Sequence, residues 1–179
     1  GTGETAAALV RLAPAGTTVH AVDFSKPMLE VARRKPEADR IRFVVADIGS
    51  LPFLEGSMDL LTMTFATRNI NLNREVLVKR FAEFCRVLKP GGRFVSAETS
   101  QPPWGVVRWL RNVYVRLFVR AVGSGISGVV PAYAYLAATI QRFYRAEELA
   151  EIMREAGFAE VTFRRLSFGA VAIHVAVKR

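Results

Sequence analysis

Short apolar runs of strand length alternate along the chain with stretches in which apolar residues recur at helical spacing. The runs that predict strands lie at residues 18–22, 41–46, 60–65, 93–97, 161–166 and 170–177. The stretches that predict helices lie at residues 5–12, 26–35, 75–88, 103–122, 132–142 and 146–155. This alternation, without repeats or low-complexity linkers, predicts an α/β layered fold with a mainly parallel sheet.

Local signals predict where several of these elements begin and end. Ser25 is expected to be the N-cap of the helix at 26–35, with Pro27 in its first turn. The run Pro90-Gly91-Gly92 is expected to stop the helix at 75–88. Only residues 167–169 separate the last two strands, so these strands should form an antiparallel hairpin.

The composition is that of one globular domain. A chain of 179 residues with 51% hydrophobic and 23% charged positions can enclose a core and is too apolar for disorder. Cys85 is its one cysteine, and His20 and His174 are its two histidines, so neither a disulfide scaffold nor a zinc site is expected. No membrane span or signal peptide is apparent in the sequence. We expect a cytoplasmic protein, with peripheral contact to the inner face of the membrane left open.

The formal net charge is +9, from 25 Lys and Arg against 16 Asp and Glu. Nucleic-acid binding, an anionic membrane or a solubility bias could each account for it. Between Glu98 and Glu147 there is no acidic residue, and the basic residues there are Arg108, Arg111, Arg116, Arg120, Arg142 and Arg145. The remaining 131 residues carry 19 basic and 16 acidic groups, a net of only +3.

The helix predicted at 103–122 is amphipathic. Its four arginines fall within about half of the helix circumference, and Trp104 and Trp109 lie near one end. The apolar face opposite consists of Val106, Val107, Leu110, Val113, Leu117 and Phe118. Such a helix suits a membrane interface, with contact through residues 104–121. It equally suits a lid over an apolar substrate, and the hydrophobic stripe between the arginines argues against nucleic acid.

Polar residues follow the predicted strands, where an open α/β sheet binds its ligands. Gly1-Thr2-Gly3-Glu4 offers bare backbone, and Asp23 follows Gly3 at the spacing of a carboxylate that binds a ribose diol. Each signal alone has a simpler interpretation, since a G-x-G sequence is usually a turn and such an Asp an N-cap or surface acid. Asp47 ends the next strand, just before Leu51-Pro52-Phe53, where it could meet an adenine. Together with Lys89-Pro90-Gly91-Gly92, this arrangement resembles class I S-adenosylmethionine-dependent methyltransferases.

A narrower resemblance rests on longer motifs. The segments VDFSKPML, ADIGSLPF, RVLKPGG and GAVAIHVAVK, and above all Phe65-Ala66-Thr67-Arg68-Asn69, are similar to the ubiquinone/menaquinone biosynthesis C-methyltransferase family (UbiE/MenG). The last of these looks like the family's F-G-x-R-N. The resemblance runs essentially from end to end and implies a Rossmann-like fold that carries S-adenosylmethionine and methylates a ring carbon of a polyprenylated quinol.

The same resemblance implies roles for individual residues. The residues expected to contact S-adenosylmethionine are Gly1, Thr2, Gly3, Asp23, Phe24, Met28, Asp47, Ile48 and Thr64. Arg68 and Asn69 would lie at the methyl-transfer site, where a guanidinium can stabilise the quinol oxyanion or orient a water that takes its proton. Arg68, Tyr133 and Tyr135 would contact the acceptor, although both tyrosines could equally be core aromatics.

Several positions depart from the family pattern around the acceptor. Ala66 replaces the glycine of F-G-x-R-N, which narrows backbone freedom there. Leu72-Asn73 stands where the family often has an acid, and Gln141 stands where it has an arginine. Outside the motifs, His174 is expected to be a packed histidine rather than a base. Cys85 is expected in the core.

The family's glycine-rich motif begins with a strand and an acid that this sequence does not contain. We therefore expect a fragment: one methyltransferase domain at 1–179, with a helical acceptor lid at 99–146 and a central strand missing. The neighbouring strand edges would be unpaired, so an isolated product should bind cofactor poorly and aggregate. A homodimer is left open. The alternatives are a methyltransferase for another small or lipid acceptor, a nucleic-acid methyltransferase or binding module, and an inactive fragment with a structural role.

Overall fold

The computed structural model describes residues 1–70, 73–114 and 143–179, and within them six strands and six α-helices. The helices are α1 (Glu4–Leu12), α2 (Lys26–Ala32), α3 (Thr67–Ile70), α4 (Arg74–Val87), α5 (Gly105–Tyr114) and α6 (Ala146–Glu155). The strands are β1 (Val19–Asp23), β2 (Ile41–Val45), β3 (Met58–Thr64), β4 (Leu88–Thr99), β5 (Glu160–Leu166) and β6 (Val171–Val177). Short 3-10 turns lie at Ala38–Arg40 and Ser167–Gly169.

These strands form two sheets. The parallel pair β1 and β2 makes one, and the other has the order β3-β4-β6-β5, with β3 parallel to β4 and β6 antiparallel to both of its neighbours. The α/β class and the C-terminal antiparallel hairpin are therefore confirmed. Among the described residues, β1, β2, β3 and β5 each have one edge with no hydrogen-bonded strand.

The run Pro90-Gly91-Gly92 does not stop the preceding helix, which is a correction to the sequence-based expectation. α4 ends at Val87, and β4 begins directly at Leu88, so the run lies inside the strand. The register against β3 shifts there, between Met58 and Leu60. Gly91 has a φ of 76°, and a Cβ on Gly92 would lie 2.8 Å from the Lys89 carbonyl oxygen. The two glycines thus allow an irregularity within β4 that ordinary residues would resist.

The second helix begins at Lys26 after Ser25, as expected, but it ends earlier than expected. Ser25 holds the N-cap position, but its side chain makes no capping bond; the Asp23 carboxylate accepts from the Ser25 N–H instead, at 2.8 Å. α2 ends at Ala32 rather than at residue 35. The next residues form turns whose hydrogen bonds span three residues instead of four, such as the bond from the Lys35 N–H to the Ala32 carbonyl. The α-helix does not continue because the α conformation is disfavoured for Lys35, the residue before Pro36.

The main core lies between the four-stranded sheet and helices α4 and α6. The rings of Phe81, Phe84, Phe94 and Phe158 pack with centroids 5.2 to 6.0 Å apart. Cys85 lies in this core, as predicted, and burial raises the pKa of its thiol. A smaller cluster, consisting of Ala6, Val10, Val19 and Ile41, packs α1 against β1 and β2.

The predicted acceptor lid is only partly described. The helix predicted from residue 103 begins at Gly105 and is described to Tyr114. Its continuation to 122, the connector at 123–131 and the helix at 132–142 lie outside the described residues. Of the described helices, the longest has 14 residues, and none has the length and apolar content needed to cross a lipid bilayer.

Candidate active site

Several of the predicted site residues lie at the carboxyl ends of neighbouring parallel strands. Asp23 ends β1 opposite Val45 of β2, and Asp47 follows two residues later. In the other sheet Thr64 ends β3 opposite Ala97, so Glu98 of β4 comes at the same edge. Parallel pairing thus gathers polar side chains at one end of each sheet, where α/β folds bind their ligands.

The glycine-rich turn lies beside two of these strand ends. Gly3 has a φ of 80°, and a Cβ there would lie 2.7 Å from the Cβ of Ala32 in α2. Gly1 lies beside the Asp23 carboxylate, which brings the turn to the end of β1. At the start of α1, the Thr5 hydroxyl donates to the Thr64 hydroxyl at 3.2 Å. Glycine is therefore required at Gly3, and the turn, Asp23 and Thr64 are neighbours.

Both strand-end aspartates also shape their own turns. Asp23 Oδ1 accepts from the Ser25 N–H, and Asp47 Oδ1 accepts from the Gly49 N–H, each at 2.8 Å. These bonds are the usual structural work of an aspartate after a strand. Because they fix both carboxylates at the sheet edge, they also hold them where a ligand could reach them.

Large apolar side chains are exposed around the same edge. Phe24, directly after β1, is 80% exposed, and Met28 in the first turn of α2 is 46% exposed. Ile48, beside Asp47, is half-buried against the main core. Exposed apolar side chains next to carboxylates and bare backbone are the ingredients of a nucleoside site, with apolar groups for the base and carboxylates for the ribose.

Arg68 lies on α3, a single helical turn that the sequence patterns did not predict. The chain leaves β3 through Phe65, whose N–H donates to the Ala97 carbonyl at 2.8 Å. Phe65 has a φ of 53°, in the left-handed region, whereas Ala66 is not among the described residues with a positive φ. The unusual conformation thus falls one residue before Ala66, and the expectation that alanine narrows backbone freedom at 66 stays a prediction.

Glu98 is the side chain that sequence reasoning missed at this site. It is fully buried at the end of β4, and its Oε1 accepts from Arg68 Nη1 at 3.2 Å. Oε2 accepts from the Thr67 N–H at 2.9 Å, while the Thr99 N–H donates to Oε1 at 2.8 Å. The only signal in the sequence was an acid that ends an apolar strand, the same signal that singled out Asp23 and Asp47.

The remaining site residues fall into two groups. Thr2 and Asn69 are exposed, and the Asn69 N–H donates to the Ala66 carbonyl at 3.0 Å. Tyr133, Tyr135 and Gln141 lie outside the described residues.

Asn73, where the family often has an acid, caps α4 by accepting from the Val76 N–H at 2.8 Å. Its position is thus explained by the helix that it begins.

His174 lies in the core, away from the strand ends. Its Nε2 is 2.8 Å from the Ala146 carbonyl oxygen, and since a carbonyl only accepts, Nε2 carries the proton. The ring also packs on Phe163, with centroids 5.4 Å apart. Burial is the largest cause that lowers the pKa of His174. These contacts agree with a packed, hydrogen-bonded histidine.

Comparison with known proteins places this geometry among methyltransferases. A demethylmenaquinone methyltransferase of Clavibacter sepedonicus is 42% identical over 179 residues, which cover 99% of this chain and 70% of that protein. Another, from Thermus thermophilus, is 41% identical over 177 residues, which cover 98% of this chain and 78% of that protein. A solved S-adenosylmethionine-dependent methyltransferase of Aquifex aeolicus shares the fold, with a TM-score of 0.67 at 16% identity, over 100% of this chain and 78% of that one.

The match to a family model extends over almost the whole chain. Residues 1–178 match the model of the ubiE/COQ5 methyltransferase family. The matched range includes both sheets, the glycine-rich turn and the loop that carries Arg68. On the strength of that match and of the close relatives, the chain belongs to the ubiE/COQ5 methyltransferase family.

Proposed function

We propose that this chain transfers a methyl group from S-adenosylmethionine to a ring carbon of a polyprenylated quinol of the demethylmenaquinol type. The observation that carries the proposal is one of placement. The glycine-rich turn with Asp23 and Thr64, and the Arg68 loop, lie at the carboxyl ends of the strands in a chain of this family. Both relatives named above are demethylmenaquinone methyltransferases, which favours the naphthoquinol as acceptor.

The residues at the strand ends fit the cofactor. Asp23 suits the ribose hydroxyls, because a carboxylate accepts from both members of a diol. The turn from Gly1 to Gly3 exposes backbone to the amino acid portion, and Thr64 offers a hydroxyl nearby. We assign the adenine to Asp47 and to the apolar side chains Phe24, Met28 and Ile48. When bound, S-adenosylmethionine supplies an electrophilic methyl group on its sulfonium sulfur.

Arg68 is proposed to make the acceptor reactive. Carbon methylation needs an electron-rich ring, so the quinol oxygen must first lose its proton to water. A guanidinium near that oxygen stabilises the negative charge, either directly or by orienting the water that takes the proton. Asn69, next in the chain, is placed at the same site. Holding the methyl group and the ring carbon in line supplies much of the remaining acceleration.

The lipophilic part of the acceptor needs an apolar cover, and we assign this to a helical lid at 99–146 within a single domain. Two residues at its start support this assignment: Trp104 is 59% exposed and Trp109, on α5, is 63% exposed. Tyr133 and Tyr135 are proposed to contact the acceptor from the same lid. We also propose that residues 104–121 rest on the inner face of the membrane, where a prenylated quinol resides.

The proposed function is tested by a methyl-transfer assay with labelled S-adenosylmethionine and demethylmenaquinol. It is run on the chain alone and on a chimera with the N-terminal region of the Thermus thermophilus relative fused ahead of Gly1. We expect the chimera to produce methylated quinol. In the chimera, Arg68→Ala should lower turnover about 100-fold or more, since one oxyanion-stabilising donor is worth that much.

Two controls keep this assay specific. Arg74→Ala removes an exposed arginine paired with Glu155 at 2.9 Å, outside the site, and should leave turnover unchanged. RNA is supplied as a second acceptor. A chimera that methylates RNA and leaves the quinol untouched would contradict the proposal.

A further inference from the structure

The buried carboxylate of Glu98 is surrounded by donors from the loop after β3 and from β4 itself. Arg68 Nη1 and the Thr67 N–H belong to the loop after β3, at 3.2 and 2.9 Å. The Thr99 N–H and hydroxyl belong to β4 itself, at 2.8 and 3.1 Å from Oε1. Three of these bonds, from Arg68 and from the Thr99 N–H and hydroxyl, are made to Oε1, and one, from the Thr67 N–H, is made to Oε2. Both oxygens of Glu98 are thus engaged by partners within the protein.

Burial makes the pairing with Arg68 energetically important. A carboxylate withdrawn from water is tolerated only when it is hydrogen-bonded and paired with an opposite charge. Arg68 is the cationic group among the four donors, and its side chain is 15% exposed, against 0% for Glu98. One edge of the guanidinium is therefore anchored in the protein, while the exposed part remains for contact outside it.

We propose that Glu98 is the positioning residue of the methyl-transfer site. It fixes Arg68 through Nη1 and the start of α3 through the Thr67 N–H, so the guanidinium meets the acceptor oxygen in one orientation. The inference rests on the proposed function of Arg68 and extends it to the residue that makes that function possible. Glu98 itself does not touch the acceptor, and it transfers no proton.

A carboxylate is needed here because every described partner is a donor. Glu98→Gln would turn an NH2 group toward one of these donors and would leave the Arg68 charge unpaired. Glu98→Asp keeps the charge but withdraws it by one methylene. We expect turnover to fall about 10- to 100-fold in Glu98→Gln and by less in Glu98→Asp, with the affinity for S-adenosylhomocysteine within about twofold of wild type.

A double-mutant comparison separates positioning from a merely structural role. If Glu98 acts through Arg68, Glu98→Gln should cost less than about twofold in turnover when Arg68 is already alanine. The matched control is Glu83→Gln. Glu83 also pairs with an arginine, Arg86 at 2.7 Å, and accepts from the Leu51 N–H at 2.7 Å, but it lies on α4 outside the site. Its loss should leave turnover within about twofold of wild type.

Solvent exchange of the Arg68 guanidinium protons, followed by nitrogen-15 NMR, measures positioning without any acceptor. We expect slow exchange in wild type, and exchange at least tenfold faster in Glu98→Gln but not in Glu83→Gln. Unchanged turnover in Glu98→Gln, or an equal loss with and without Arg68, would overturn the inference. A wild type with slow exchange that leaves the quinol unmethylated would instead overturn the proposed function alone.

Discussion

Arg68 shows why the surroundings of a residue decide its role. An arginine at a strand end is usually solvated, and the motif around it provided the reason to place it at a site. In the folded chain its partner is Glu98, which lies 30 positions later and is fully buried. A pairing over that separation leaves no periodic trace in the sequence, because it depends on β3 lying parallel to β4.

His174 carries a prediction about pH. Burial, and to a smaller extent Arg165, lower the pKa of His174, while the Ala146 carbonyl and Glu147 oppose them. The His174 ring therefore binds a proton near pH 6.5 in the unfolded chain, but only at lower pH in the folded chain. Its contribution to the free energy of unfolding is fully present above about pH 6.5 and is lost as the pH falls below that value. We expect the free energy of unfolding to drop by about 1 kcal/mol between pH 7.5 and 5.5.

Urea unfolding at the two pH values measures this drop. His174→Gln should reduce it, since the amide does not titrate. The matched control is His20→Gln, because burial also lowers the pKa of His20, but that ring is only half-buried. The carboxylates with lowered pKa values, Glu83 among them, titrate below this window. If His174→Gln keeps the full drop in the free energy of unfolding and His20→Gln loses it, the drop belongs to His20 instead.

At the scale of elements, the period and turn signals predicted most of the helices and strands, but their ends depended on tertiary contacts. β4 extends back to Leu88 because its first residues pair with β3 and contact the end of β6. The Gly91 N–H donates to the Lys178 carbonyl at 2.9 Å, a bond that no local pattern could indicate. The hairpin of β5 and β6 was predictable because only four residues, 167–170, separate the strands.

The exposed tryptophans of the proposed lid segment at 99–146 lead to a prediction about membranes. The protein should pellet together with phosphatidylglycerol vesicles in a sedimentation assay. The Trp104→Ser/Trp109→Ser double variant should bind the vesicles more weakly, because its apolar anchors are lost. Replacing Arg108, Arg111, Arg116 and Arg120 with Gln should weaken binding about fivefold per charge.

The matched control for this experiment is Leu54→Ser, which removes an apolar side chain that is 82% exposed far along the chain from the lid segment. It should not change vesicle binding. If the protein still binds the vesicles after both the tryptophan and the arginine replacements, this segment is not the membrane contact.

At the scale of the whole molecule, the described strands form two sheets, and helix α1 contacts both of them. α1 packs on β1 and β2, and its Thr5 reaches Thr64 at the end of β3. Within the part of the chain that the structure describes, β1 and β3 each have one edge without a partner strand, and such edges are where another copy could pair. The residues proposed to contact the cofactor are divided between these two sheets, so their spacing depends on how the sheets are held.

The chimera tests the effect of those edges. We expect the chain alone to aggregate in size-exclusion chromatography with light scattering, and the chimera to elute as a defined species that binds S-adenosylhomocysteine. A chimera with prolines at the bonding positions of the added strand should behave like the chain alone, because proline cannot donate to a ladder. A chain that is already monodisperse and binds cofactor would contradict this expectation.

By itself, the sequence determined the α/β class, the strand-end acids and the terminal hairpin, because alternation, spacing and short connections are local properties that survive in one dimension. The F-x-x-R-N segment likewise pointed to Arg68. Only the tertiary structure decided that Glu98 holds Arg68, that Pro90-Gly91-Gly92 lies within a strand, and that Phe65 has a left-handed backbone. Each depends on which strands lie side by side, and strand pairing brings together residues that the sequence keeps far apart.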